Sequence, residues 1–280
     1  MERKTVAVLH PGEMGAAIGA GLVAQGHRVV WVSAGRGAAT RQRAERCGLE
    51  DVETLARAAQ AADIVFSVCP PHAAMELARA VAACGFGGVY VDANAISAAS
   101  TRAVGRVVEA AGASYVDAGI IGPPPLPGAS VRLYLCGSRA AEIEALFQGC
   151  IMQAICLDGQ VGAASALKVC YAAWNKGATA LLAGIRALAE HEGVDAALLA
   201  EWKISLPEIP KRSEAVTTSA RKAWRWSGEM DEIAANFDAA GLPAGFHLAA
   251  ADIYRRLEEF KDAAKPPAVA EVKAALLRKT

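Results

Sequence analysis

Within its first thirty-two residues the chain sets out a strand, a glycine turn, a helix and a second strand, an order that few folds accept. Thr5 to Leu9 is a short β-branched and apolar run, the pattern of a strand buried on both faces. His10-Pro-Gly12-Glu13-Met14-Gly15 follows, and then small and apolar residues at helical spacing, including Ile18 and Leu22. Gly26-His27 closes the helix, and Arg28 to Val32 reads as the next strand. Such a unit suits a dinucleotide, because its glycines let the backbone approach a pyrophosphate that rests on the helix N–H groups and positive dipole end. Gly12, Glu13, Met14 and Gly15 are therefore candidate cofactor contacts, although His10 stands where the first glycine of the usual pattern would be. The plainer alternative is a tight turn without a ligand.

Cofactor choice is read at the end of the second strand, where an NAD site usually carries Asp or Glu for the adenosine ribose. Here the segment is Ser33-Ala-Gly-Arg36-Gly-Ala-Ala-Thr40-Arg41, with no carboxylate. A hydroxyl and planar guanidinium groups suit a ribose phosphate. The expected cofactor is NADP(H), with Ser33 and Arg36 as contacts and Arg41 as a further candidate; the alternative is that the arginines are solvated surface charges.

The alternation then continues. Residues 50–61 look helical, Asp63 to Cys69 is a strand, 73–84 looks helical, and Val89 to Asp92 is a strand that leads into Ala93-Asn94. Loops at the carboxyl ends of parallel strands line the ligand crevice, which places Cys69, Pro70 and Asn94 near a nicotinamide. His72 reads as a helix-start residue, and Asn94 alternatively holds its own turn. A helix (Thr101 to Ala111), a strand (Ser114 to Ile121), the stiff Gly122-Pro123-Pro-Pro125 segment, a strand (Val131 to Gly137), a helix (139–148) and a last strand (Ile151 to Leu157) complete this part.

Beyond Asp158 every pattern is helical. Leu167, Tyr171, Trp174, Leu181, Leu182, Ile185 and Leu188 recur at three- and four-residue intervals, which predicts one helix of ~30 residues ending near Gly193. Further helices are predicted over Asp195 to Ser205, Ser213 to Trp226, Met230 to Ala240, Gly245 to Lys261 and Ala268 to Arg278. The expected architecture is an α/β Rossmann-type domain over 1–158, then an all-α domain over 159–280, joined by a long interdomain helix.

Composition narrows the function classes. Basic and acidic residues balance at 29 each, so nucleic acid and anionic membrane surfaces have no electrostatic claim on the chain. No apolar stretch approaches the ~20 residues of a membrane helix, and the charged N-terminus runs straight into a strand. The seven cysteines lack paired spacing, and Cys69, Cys136 and Cys170 lie in apolar periodic segments. They read as reduced, mostly buried thiols of a cytoplasmic protein. The histidines show no metal-ligand spacing.

Lys168 is the residue with most chemical promise. It sits early in the long helix, after Gly159-Gln-Val-Gly162-Ala-Ala-Ser165. Moving a hydride to or from a carbonyl requires a partner for the proton on oxygen, and a lysine serves if burial lowers its pKa from ~10.4 toward neutrality. The ordinary alternative is a lysine snorkelling past Leu167 and Tyr171. Tyr171 is a second candidate proton donor, and Asn175 lies two turns along on the same face as Lys168. Trp174, Leu181 and Ile185 exceed what a small domain covers, so a homodimer is expected.

The layout resembles the β-hydroxyacid dehydrogenase superfamily, which includes hydroxyisobutyrate and phosphogluconate dehydrogenases. The resemblance rests on Gly12-Glu-Met14-Gly15 for a GxGxMG turn, on Asp117-Ala-Gly-Ile-Ile121-Gly122 for the substrate loop, and on Gly159, Gly162 and Lys168 for GxxGxGxxxK. It implies that Lys168 is the general acid/base, and that Ile121, Gly122 and Pro123 border a small-molecule substrate. The departures fall on the substrate side. Ile121 stands where the family carries a small hydroxylated residue that grips a carboxylate. Ala172 replaces an amide, Ala164 replaces the third glycine, and the later substrate lysine is missing around Ser227 to Glu229. Arg225-Trp226-Ser-Gly-Glu229-Met230 and Gly241-Leu-Pro-Ala-Gly-Phe-His247 mark a distinct subgroup; Arg225 as an anion contact and His247 as a pocket residue are weaker candidates there. The expected activity is an NADPH-dependent oxidoreductase acting on a hydroxy or keto substrate. An imine reductase on the same scaffold and a non-catalytic NADPH-binding protein are the alternatives.

Overall fold

The computed structural model describes residues 2–125, 128–261 and 263–278. Two compact units divide the chain, Met1–Lys168 and Val169–Thr280. In the first unit β1 (Thr5–Val8), α1 (Glu13–Ala24), β2 (Arg28–Trp31), α2 (Ala38–Arg46), β3 (Glu50–Asp51), α3 (Leu55–Ala61), β4 (Ile64–Ser67), α4 (Ala74–Ala83), β5 (Val89–Asp92), α5 (Ala98–Ala110), β6 (Ser114–Ile121), β7 (Val131–Cys136), α6 (Ala140–Leu146) and β8 (Met152–Cys156) follow in order. The strands make one sheet in the order β3-β2-β1-β4-β5-β6-β7-β8. The first six strands are mutually parallel, β7 runs antiparallel to β6, and β8 is parallel to β7.

Alternation along each strand distributes the core to both faces of this sheet. Val6 and Val8 pack with Ile18, Leu22, Phe66 and Ile143 on one side, while Ala7, Leu9, Val65 and Tyr90 pack with Ala78, Val81 and Val104 on the other. Covering both faces with helices is what a parallel sheet needs, since neither face is polar enough for water. This is the predicted Rossmann-type unit, with α2 (Ala38–Arg46) added, α5 beginning three residues earlier than expected, and a change at the edge. Residues 50–61 are not all helical: Glu50 and Asp51 pair with Val30 and Trp31 as a two-residue edge strand. A strand that short leaves no alternation to read.

The long helix α7 (Ala163–His191) starts in the first unit and continues into the second, where α8 (Asp195–Ser205), α9 (Ile209–Ala220), α10 (Ala223–Ala239), α11 (Gly245–Arg256) and α12 (Val269–Leu277) follow. Helix boundaries here differ from expectation: the helix expected over Gly245 to Lys261 ends at Arg256, with a 3₁₀ turn at Glu258–Phe260 after it. Pro210 falls in the first turn of α9, where a missing N–H costs nothing, so the helix reaches back beyond Ser213 to Ile209. The predicted break near Trp226 instead falls at Arg221 and Lys222, and α10 runs on through Gly228. The core of this unit is built from the small face of α7: Ala173, Ala180, Ala183 and Ala187 pack with Val216, Met230, Ile233, Ala251 and Tyr254. Of the predicted large apolar stripe only Leu182 is buried; Trp174 is 65% exposed and Leu188 61%. No described helix is long and apolar enough to cross a membrane. All seven cysteines are free, but only Cys69 and Cys136 are buried, against the expectation that most are; Cys170 is exposed because it lies on the outward side of α7.

Candidate active site

Strand register builds the site. Asp92 at the end of β5 is paired with Asp117 of β6, so two carboxylates lie side by side where the parallel strands end. Both are buried. Asp117 accepts the backbone N–H groups of Gly162 and Ala164, each at 2.9 Å, that of Ser165 at 3.2 Å, and the Ser165 hydroxyl at 2.6 Å. Those N–H groups are the ones a helix start leaves unpaired, so Asp117 caps α7 from another strand and lies at its positive dipole end. The Ser165 hydroxyl also meets Thr101 of α5 at 2.8 Å. Asp92 takes a hydrogen bond from Tyr115 Oη at 2.9 Å and from the Asn94 N–H at 3.1 Å. Burial, with the Asp117 charge adding to it, pushes the Asp92 carboxyl up to about 6 against those hydrogen bonds.

Lys168 lies one turn beyond this cap. Gly119 lets it come close to the sheet: a Cβ on Gly119 would sit 2.4 Å from the Ala164 carbonyl and 3.4 Å from Lys168 Cβ. Lys168 is half-buried, and its ammonium makes no hydrogen bond or ion pair among the described residues. Removal from water lowers its pKa to about 8, and the nearby Asp92 and Asp117 charges hold it from falling further. The charge of Lys168 is thus set by burial acting against two buried carboxylates. Ile121, two residues beyond Gly119 on the same face of β6, is buried, whereas Gly122 and Pro123 are exposed at the strand end.

The nucleotide end is formed by the first turn. A Cβ on Gly15 would lie 2.2 Å from the His10 carbonyl, so the turn closes only with glycine there, while a Cβ on Gly12 would meet nothing. Glu13 and Met14 open α1, whose N-cap Gly12 brings no side-chain hydrogen bond and leaves the N–H groups for a ligand. Arg43 of α2 donates to the Pro11 carbonyl at 3.2 Å, and Arg41 donates to the Ser33 carbonyl at 3.2 Å. Arg36 Nη2 lies 2.6 Å from His10 Nε2. Buried His10 Nδ1 and Arg36 Nε have no partner among the described residues, and a dinucleotide phosphate with its acceptor oxygens fits that donor set.

Two readings from the sequence change here. A carboxylate does reach the end of β2: the edge strand β3 carries Asp51 to 3.7 Å from Arg41. Burial raises its pKa, but hydrogen bonds from Ser33 and the Glu53 N–H, together with the Arg41 charge, hold it below the usual value. The Ser33 hydroxyl is thus turned to Asp51, and Arg36 is the group left for a phosphate. Asn94 is a clasp: its Oδ1 accepts the Cys69 N–H at 2.6 Å and its Nδ2 donates to Ser67 Oγ at 2.9 Å, tying the ends of β4 and β5 together. Cys69 is buried, and that pushes its thiol up to about 11, so it stays protonated. Pro70 leads into a single 3₁₀ turn at Pro71–Ala73, with His72 exposed on it.

Tyr171 and Asn175 belong to the second unit. Tyr171 is exposed, and Asn175 Nδ2 donates to the Tyr171 carbonyl at 3.1 Å, one turn back along its own helix. Near Ser227 to Glu229, where no lysine is found in sequence, Lys176 of α7 pairs with Glu229 and lies 5.0 Å from the Trp226 ring centroid. Arg225 is exposed, and His247 is buried between Phe237 and Phe246. Sequence reasoning gave no role to Asp92, Asp117, Ser165 or Tyr115, Asp117 entering only as the first residue of the substrate-loop motif; an aspartate at the same offset from the starts of two successive strands was the available signal. A separate groove of about 700 Å³ runs along α1 from Glu13 to Gln25, past Pro124, Pro125 and Cys150. It holds neither Lys168 nor the carboxylate pair, so the polar constellation, not the cavity, locates the chemistry.

Comparison with known proteins bears on the fold and on the cofactor domain. Residues 5–148, just over half of the chain, match the family described as the NAD binding domain of 6-phosphogluconate dehydrogenase. Residues 189–257 match a domain of unknown function, DUF1932. A conserved hypothetical protein from Sinorhizobium meliloti 1021 is 23% identical, with 98% of this chain and 96% of that one covered at a TM-score of 0.73. The 3-hydroxyisobutyrate dehydrogenase of Mycobacterium tuberculosis is 21% identical, with 99% and 100% covered at 0.72. An imine reductase from Bacillus cereus BAG3X2 is 18% identical, with 99% and 100% covered at 0.59. At these identities the likeness is one of fold. No curated protein matches the chain significantly. The chain belongs to the family of the NAD binding domain of 6-phosphogluconate dehydrogenase, within the β-hydroxyacid dehydrogenase-like superfamily of NAD(P)-dependent oxidoreductases with a helical C-terminal region.

Proposed function

We propose that the protein is an NADPH-dependent oxidoreductase that moves hydride between the nicotinamide and a substrate carbon bearing oxygen, with Lys168 as the general acid/base. When bound, the nicotinamide supplies or accepts the hydride. The Gly12–Gly15 turn, the start of α1 and Arg36 hold the dinucleotide, with Cys69, Pro70 and Asn94 bordering it. Ile121, Gly122 and Pro123 border the substrate. Residues 1–158 serve the cofactor, and 159–280 serve the substrate and a homodimer, with Tyr171 and Asn175 contributing from the second unit.

The observation that carries this reading is the state of Lys168: an unpaired amine, lowered to about 8, over buried Asp92 and Asp117. A pKa there gives both protonation states at working pH, which proton transfer in either direction requires. The sign is testable. Neutral amine accumulates above about 8, so alcohol oxidation rises with pH through that value. Carbonyl reduction needs the ammonium and falls over the same range. The pH–rate profile in both directions, with Lys168→Ala alongside, checks it; parallel profiles in the two directions contradict it.

Imine reduction is the second reading, favoured by the buried apolar Ile121 at the place of a carboxylate-gripping residue. An iminium already carries its proton, so Lys168→Ala leaves that activity intact.

A further inference from the structure

At the nucleotide end, two side chains from different strand ends meet and leave donors that none of the described residues uses. His10 ends the segment after β1, and Arg36 comes from the loop after β2. Arg36 Nη2 and His10 Nε2 are 2.6 Å apart. A guanidinium only donates, so Nε2 accepts and the imidazole proton is on Nδ1. Burial first, and then the Arg36 charge, lower the His10 pKa to about 4, which keeps the ring in this neutral form. The Nδ1–H of His10 and the Nε–H of Arg36 are both buried without an acceptor among the described residues. Two adjacent buried donors with one positive charge call for an anionic oxygen.

The neighbouring arginines are already engaged. Arg41 is bonded to the Ser33 carbonyl and faces Asp51, and Arg43 is bonded to the Pro11 carbonyl. The pyrophosphate has the N–H groups at the start of α1. Arg36 belongs to the loop that reads the adenosine ribose, and its Nε is the donor left over.

Resting on the NADPH reading above, we propose that His10 is a positioning residue that holds Arg36 for the ribose phosphate of NADPH, and that the pair sets the preference for the phosphorylated cofactor. The histidine at the first-glycine position thereby has a purpose that a glycine there lacks. It fixes a long side chain that would otherwise have to be ordered when the phosphate arrives.

The test is a fluorescence titration of NADPH and NADH on the full chain, comparing wild type with His10→Ala, His10→Gln, Arg36→Ala and the double variant, each checked for an unchanged melting temperature. Wild type is expected to prefer NADPH. His10→Ala should weaken NADPH about tenfold, as loss of a charge-assisted contact does, and leave NADH unchanged. The double variant should bind NADPH no worse than Arg36→Ala. His10→Gln, whose amide both accepts and donates, should recover most of the affinity. Equal loss of both cofactors in His10→Ala, unchanged NADPH binding, or losses that multiply in the double variant overturn the proposal while the NADPH reading stands. A wild type that prefers NADH overturns both.

Discussion

Lys168 is defined by what surrounds it. Desolvation pulls its pKa down while Asp92 and Asp117 hold it up. Removing one carboxylate charge therefore moves the balance further down: Asp92→Asn should shift the lysine-dependent inflection of the pH–rate profile from about 8 to lower pH. An inflection that stays in place would show that Asp92 does not reach the amine. Asp92 itself has a pKa raised to about 6 in the folded state. The folded form binds its proton more tightly, so the carboxylate lowers stability above about 6, and stability recovers as pH falls toward the ordinary carboxylate range. Denaturant titration across that window should show the slope in wild type and a flatter one in Asp92→Asn. At this scale the sequence was half legible. Motif spacing singled out Lys168, but Asp92 and Asp117 become a pair only through the register of β5 and β6. The acid at the end of β2 was missed for the same reason: Asp51 arrives through an edge strand of two residues.

The start of α7 carries the lysine, and two features of β6 fix it there. Asp117 satisfies the first turn with hydrogen bonds from three N–H groups and a hydroxyl. Asp117→Ala leaves buried donors without a partner and should cost on the order of 2–4 kcal/mol, read as a lower midpoint in denaturant unfolding. Gly119→Ala tests position more finely. The added Cβ would meet the Ala164 carbonyl at 2.4 Å, so the helix start must shift. Activity should fall at least tenfold with NADPH affinity retained, because displacement of about 1 Å at a reacting group has that effect. Loss of both together would mean that the whole unit had been disturbed. The helix itself was readable from its period, but its orientation was not. The large side chains made the stronger signal, yet the alanines face the core of the second unit.

For the whole molecule, that outward stripe is the main unresolved surface. Leu167, Trp174, Leu181 and Leu188 recur every seven residues, with Tyr171 and Ile185 between them, the spacing of a helix seam that packs on another helix. An exposed apolar strip of this length is the kind of surface that a second chain covers. Light scattering should give a mass near twice 29.0 kDa, and Leu181→Glu should return it to the single-chain value. A monomeric wild type would contradict the expected homodimer. Fold class and a place among NAD(P)-dependent oxidoreductases were legible because they depend on periodicity and the first βα turn; the substrate was not, because Ile121 and Ala172 replace the polar groups that would identify it. The most direct measurement is therefore an NADPH-consumption screen over keto acids, aldehydes and cyclic imines, with NADP⁺ reduction over hydroxy acids, run on wild type and Lys168→Ala. Turnover of an oxygen-bearing substrate that falls ~100-fold or more in Lys168→Ala, with NADPH binding unchanged, is the predicted result. Imine turnover indifferent to that substitution would contradict the assignment of Lys168.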